Sequence, residues 1–71
     1  MSEDQVLELV SEILGVNKHK LNQEDTLYLN GWDSLSTLTL LAKIDSLNLG
    51  KGYTITIDDE TTVRDLVSAL A

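Results

Sequence analysis

Seventy-one residues, with neither cysteine nor proline, cannot supply both a core and a deep substrate cavity, and no disulfide or thiolate metal site can brace the chain. Twelve Asp and Glu against five Lys and Arg give a net charge of -7, which disfavours nucleic acid and anionic lipid and suits partners with basic docking surfaces. A single domain over 1–71 that is not an enzyme is expected. With no leader pattern and no apolar run of bilayer length, it is expected to be a soluble, cytoplasmic monomer without a membrane partner.

Residues 3–14 place Val6, Leu7, Leu9, Val10, Ile13 and Leu14 on one arc at about 100° per residue, with Asp4, Glu8 and Glu12 opposite. This predicts an amphipathic helix, capped by Ser2, with Glu3 and Asp4 at its positive end and Gly15 terminating it. Residues 15–33 carry neither period and contain Gly, Asn and Asp at intervals, so one long loop is expected. Val16, Leu21, Leu27, Tyr28, Leu29 and Trp32 are the side chains available to pin it to a core.

Residues 34–47 form the second predicted helix, with Asp33 or Ser34 at its N-cap. Leu40, Leu41, Ile44 and Leu47 cluster with Thr37 as a core stripe. Leu35, Leu38 and Ala42 make a second apolar stripe, which either packs under the long loop or stays exposed as a docking patch. Asn48, Gly50 and Gly52 end the helix. Tyr53 to Ile57 alternate like a strand with nothing to pair with, so an extended connector is expected, with Tyr53, Ile55 and Ile57 reaching inward. Asp58-Asp59-Glu60 suits one turn of helix. Thr62 opens a last helix, with Asp65 in capping-box position and Val63, Leu66, Val67 and Leu70 buried.

Built almost wholly from Leu, Ile and Val, the chain reads as an all-α fold, a small three- to four-helix bundle. No catalytic constellation stands up. Ser34, His19 and Asp25 or Asp33 are the right types for a hydrolytic triad, but no Gly-x-Ser-x-Gly elbow or oxyanion loop accompanies them. A calcium loop begun at Asp45 would put Leu47, Leu49 and Thr56 at ligand positions. One histidine and no cysteine exclude a His/Cys metal site.

What remains is Gly31-Trp32-Asp33-Ser34-Leu35, a serine beside an acid where a long loop meets a helix. On these residues, and on the order, size and acidity of the elements around them, the chain resembles the acyl and peptidyl carrier proteins. Their attachment motif is Asp-Ser-Leu, often as Gly-Trp-Asp-Ser-Leu, and Thr62-Val63-Arg64-Asp65-Leu66 also sits where a carrier would have it. The resemblance implies a carrier-protein bundle with a long loop between helices 1 and 2. It implies that Ser34 receives 4′-phosphopantetheine from coenzyme A through a phosphopantetheinyl transferase, with Asp33 setting the helix start. The arm's thiol would then hold acyl or aminoacyl cargo as a thioester, loaded by an adenylating or acyl-transferring enzyme and used by downstream acyl-processing enzymes.

Two departures from the pattern matter. Fatty-acid-synthase carriers stud the helix after the serine with acids. Here Asp45 is the one acid on that helix, among Ser36, Thr39, Lys43 and Ser46. Docking is therefore expected to use Trp32, Leu35, Leu38 and Ala42, which leans away from a fatty-acid role toward a peptidyl-type or specialised acyl carrier, within fatty acid or secondary metabolite biosynthesis. Ile57 to Thr62 is also short for the usual third helix, which is expected to be one turn or absent. The alternative is an unmodified acidic adaptor with a carrier-like fold, in which Ser34 is only a helix cap.

Overall fold

The computed structural model describes residues 2–46 and 56–71. Three helices carry the described fold: α1 (Glu3–Leu14), α2 (Ser34–Ser46) and α3 (Val63–Leu70). Helix α1 begins as expected, on a reciprocal pair in which the Ser2 hydroxyl accepts from the Gln5 N–H and the Gln5 side chain accepts from the Ser2 N–H. It ends at Gly15, whose φ of 70° lies in the left-handed region that L side chains avoid.

Helix α1 packs on both α2 and α3. Val6, Leu9 and Val10 of α1 meet Leu40 and Ile44 of α2 and Val63, Leu66, Val67 and Leu70 of α3 in one core, completed by Leu27 and Trp32 from the loop. Each fully buried aliphatic chain contributes about 2 kcal/mol. With Trp32 the one aromatic in that core among the described residues, few of them can be spared. Leu7, Ile13, Leu14, Leu21 and Ile57 pack around the edge.

The long loop between α1 and α2 is present, and local side-chain bonds order it. Asn17 accepts from the His19 N–H and Asn22 from the Glu24 N–H, both at 2.9 Å, each fixing a turn. Two short 3₁₀ turns, Lys18–Lys20 and Tyr28–Asn30, interrupt the stretch that showed no periodicity. Three residues cannot display a period. Beyond them, the loop is sewn to the start of α3 by backbone bonds. The Leu27 N–H donates to the Thr61 carbonyl (2.9 Å), while Val63 and Arg64 donate to the Asp25 (3.1 Å) and Gln23 (2.9 Å) carbonyls. An antiparallel bridge joins Thr26 to Thr62.

That seam also finishes α3. The Asp65 N–H goes to the Thr62 hydroxyl, and the Thr62 N–H to the Asp65 carboxylate, the expected capping box. With Val63 and Arg64 satisfied by loop carbonyls, no donor at the start of α3 is left over. At the surface, Lys18 pairs with Asp4 at 2.9 Å, Lys43 with Glu12 at 3.8 Å and Arg64 with Glu24 at 3.7 Å. These pairs tie the loop and α2 to α1, and α3 to the loop, although exposed pairs of this kind contribute little individually.

Several expectations need correction. Of the loop side chains read as pins, Leu27 and Trp32 are buried and Leu21 half-buried, but Val16, Tyr28 and Leu29 face solvent. Leu41 is exposed rather than in the core stripe, because it lies two turns beyond Ser34 and shares its outward side. Asp58 to Thr61 is a hydrogen-bonded turn, not a helix: the Thr61 N–H reaches the Asp58 carbonyl, and the Asp58 carboxylate accepts from the Glu60 N–H and the Thr61 hydroxyl. Ile57 does pack against the core. The expectations for Leu47, Asn48, Gly50, Gly52, Tyr53 and Ile55 lie outside the described residues.

Candidate functional site

The turn before α2 decides what faces inward and what emerges. Thr26 anchors it, its hydroxyl accepting from the Leu29 N–H (3.2 Å) and its carbonyl from the Asn30 side chain (3.0 Å). The Leu27 carbonyl takes the N–H groups of both Asn30 and Trp32. Between them Gly31 sits at φ 94°, and there the backbone reverses. Open space surrounds the point where a Cβ would be, so conformation rather than crowding calls for glycine.

After that reversal Trp32 enters the core, 3% exposed, and its indole N–H donates to the Thr37 hydroxyl at 3.0 Å. A buried indole N–H needs such an acceptor. Trp32, expected among the docking residues, is thus buried rather than part of the exposed surface, and its ring holds the loop to α2, one turn beyond the serine.

Asp33 is the cap of α2. Its carboxylate accepts from the Ser36 N–H at 2.9 Å and from the Ser36 hydroxyl at 3.0 Å, while the Asp33 N–H donates back to the Ser36 hydroxyl at 3.3 Å. The Asp33 carbonyl receives the Thr37 N–H. These bonds, the Ser36 N–H first and its hydroxyl second, hold the Asp33 carboxyl below the usual aspartate range because they favour its charged form. Asp33, rather than Ser34, is therefore the residue that caps α2.

Ser34 is the first residue of α2 and is exposed. The first two turns carry four hydroxyls, and three are engaged: Ser36 with Asp33, Thr37 with Trp32, and Thr39, which donates to the Leu35 carbonyl at 2.9 Å. Among the described residues, nothing hydrogen-bonds the Ser34 hydroxyl. It is an accessible nucleophile at the positive end of a helix, where an anion is favoured.

Around it lies uncovered apolar surface. Leu35 is 68% exposed, Leu38 64% and Leu41 38%, with Ala42 also exposed. Leu29, 73% exposed, stands on the preceding turn. The second stripe therefore does not pack under the loop. Ser34, Leu38 and Leu41 follow one another at single-turn intervals on one side of α2. Lys43 is on the same helix but pairs with Glu12, so its charge is offset.

Of the residues singled out in the sequence, Ser34, Leu35, Leu38 and Ala42 are exposed and Asp33 caps α2, while the supports Ser36 and Thr37 were not anticipated and Leu41 lies on the outer side. A signal existed for Ser36, three residues after a capping aspartate, although serine replaces the usual Glu or Gln there. Nothing in a Trp and a Thr five residues apart announces their bond. Among the described residues, no group of three or more acids and histidines could hold a metal, and no helix is long and apolar enough to cross a membrane.

Compared with known protein families, residues 4–70 match the model described as phosphopantetheine attachment site. No curated protein and no solved structure matches the chain.

Proposed function

The chain belongs to the phosphopantetheine-attachment family, whose domains carry cargo on a covalently attached 4′-phosphopantetheine and are not themselves catalysts, and from that premise we propose that Ser34 is the attachment residue. The geometry fits such a group. A phosphodiester formed on Ser34 would stand at the exposed start of α2, near its N–H groups and positive dipole, without displacing a hydrogen bond of the fold. The single observation that carries the reading is the uncommitted Ser34 hydroxyl beside three engaged neighbours.

In the proposed modification, the Ser34 oxygen displaces adenosine 3′,5′-bisphosphate from coenzyme A. One oxygen–phosphorus bond forms as another breaks, and the hydroxyl proton passes to a base of the phosphopantetheinyl transferase. Once attached, the arm supplies a terminal thiol that holds acyl or aminoacyl cargo as a thioester. Asp33 is not a turnover base. It fixes the helix start and presents a charged edge to the transferase. Carriers of this family work with such a transferase and with processing enzymes. Here the exposed stripe of Leu35, Leu38 and Ala42, extended by Leu41, is the surface proposed to meet them. Its apolar character supports a peptidyl-type or specialised acyl carrier over one that docks through acids.

Incubation with coenzyme A and a broad-specificity phosphopantetheinyl transferase, followed by intact mass, tests the assignment. A gain of one phosphopantetheine that disappears in Ser34→Ala is expected. No gain, or a gain that survives the substitution, refutes it.

A further inference from the structure

Ser36 is not among the buried core residues, yet every side-chain hydrogen bond of Asp33 described above involves it. Its N–H and hydroxyl both donate to one oxygen of the Asp33 carboxylate, and its hydroxyl oxygen accepts from the Asp33 N–H. The residue thus closes a ring over Ser34 and Leu35, which lie between the two partners in sequence. A longer clamp, Trp32 to Thr37, brackets the same pair.

We infer that Ser36 is a positioning residue for the modification of Ser34: by holding the Asp33 carboxylate on the helix cap, it leaves the Ser34 hydroxyl free and fixes the direction in which it emerges. This rests on the assignment of Ser34 as the attachment residue. The chemistry follows from what each partner could otherwise do. An unrestrained carboxylate beside a serine is a strong acceptor for that serine's proton, and a hydroxyl so engaged is turned toward its neighbour instead of toward an incoming enzyme. Two donors from Ser36 hold one oxygen of that carboxylate and so turn the group onto the helix cap. The same bonds commit the Ser36 hydroxyl, so that of two serines separated by one residue a transferase meets only one that is free. The lowered Asp33 carboxyl agrees with this, since its lowering causes are hydrogen bonds, the Ser36 N–H and hydroxyl first.

The test compares wild type, Ser36→Ala and Ser36→Thr as full chains, following modification by intact mass over time with coenzyme A and one transferase. Ser36→Ala should lower kcat/KM for the carrier roughly five- to tenfold, the factor that corresponds to one typical net hydrogen bond at an exposed site. Ser36→Thr, which keeps the hydroxyl, should restore most of it. Equal rates for Ser36→Ala and wild type, or no recovery in Ser36→Thr, overturn the inference. An unmodified wild type overturns the Ser34 assignment itself and is distinguishable from either result. A second measurement needs no transferase. In a carbon-13 titration of Asp33, Ser36→Ala should move the carboxyl transition upward toward the ordinary aspartate range. An unmoved transition overturns the inference even if the variant is modified slowly for other reasons.

Discussion

Helices α2 and α3 start with the same two chemical ingredients in opposite order. In α3 a hydroxyl caps and an acid answers three residues later, Thr62 and Asp65; in α2 an acid caps and a hydroxyl answers, Asp33 and Ser36. Their surroundings differ far more than their caps. Carbonyls of Gln23 and Asp25 cover the next donors of α3, and its first residue, Val63, is fully buried. The first residue of α2 is an exposed serine, and among the described residues no loop carbonyl lies over it. Capping alone thus does not make a helix start into a site. What distinguishes α2 is that its cap is completed from within, which leaves the serine between the two partners with nothing structural to do.

The most severe way to break the contrast is to release the loop that closes α3. Leu27 is fully buried, and its N–H and carbonyl hold, respectively, the seam to Thr61 and the turn that delivers Trp32. Leu27→Ala should cost about 2–5 kcal/mol. That is comparable to the whole stability of a small domain, so urea unfolding should show a chain largely unfolded at room temperature. A loss under about 1 kcal/mol would mean that the loop is not held through this residue.

Thr62→Ala weakens the closed start more gently, by about 1 kcal/mol in urea unfolding. At a temperature where the variant is folded, modification of Ser34 should proceed at the wild-type rate. A slower rate at full folding would show that the two starts are coupled, and the division drawn between them would fail. On the open side the pattern should invert. Leu38 is exposed, so Leu38→Glu should change stability by no more than about 0.5 kcal/mol. A buried unpaired charge at a partner interface should nevertheless reduce cargo transfer about tenfold or more. Unchanged transfer to every partner tried would remove the stripe as a docking surface.

The same difference explains which parts of the molecule were legible in the sequence. Helix α1 and helix α3 are amphipathic over their whole lengths and carry local caps, so their bounds, most of their buried residues, the Ser2 cap and the α3 capping box could be read directly. The Asp33 cap and the helix start at Ser34 could be read because the motif is contiguous. The seam between 23–27 and 61–64 could not, since it consists of backbone bonds between segments whose side chains carry no shared pattern. Leu41 was misplaced because α2 bears leucines on both faces, and periodicity cannot say which of two apolar sides is buried. The side that is buried is the one that packs on α1, where Leu40 and Ile44 join the core.

The finest test of the contrast is acidity, because α2 is capped by a carboxylate and α3 by a hydroxyl. Asp33 is held below the ordinary aspartate range in the folded chain, so its contribution to stability is complete above the ordinary value and is lost as pH falls through the lower, folded one. Within that window the unfolded chain takes up a proton that the folded chain does not. Asparagine caps a helix about as well as aspartate but does not titrate. Asp33→Asn should therefore leave the urea midpoint near neutrality almost unchanged and flatten its decline in the acid window. Because Asp33 is exposed, the effect should be the smallest of those proposed, and it is best read as a difference in slope between the two proteins. Parallel declines would show that the Asp33 carboxylate gains nothing from Ser36. The free Ser34 hydroxyl would then need another cause, and Ser36 would lose its role as the residue that keeps the cap off the serine.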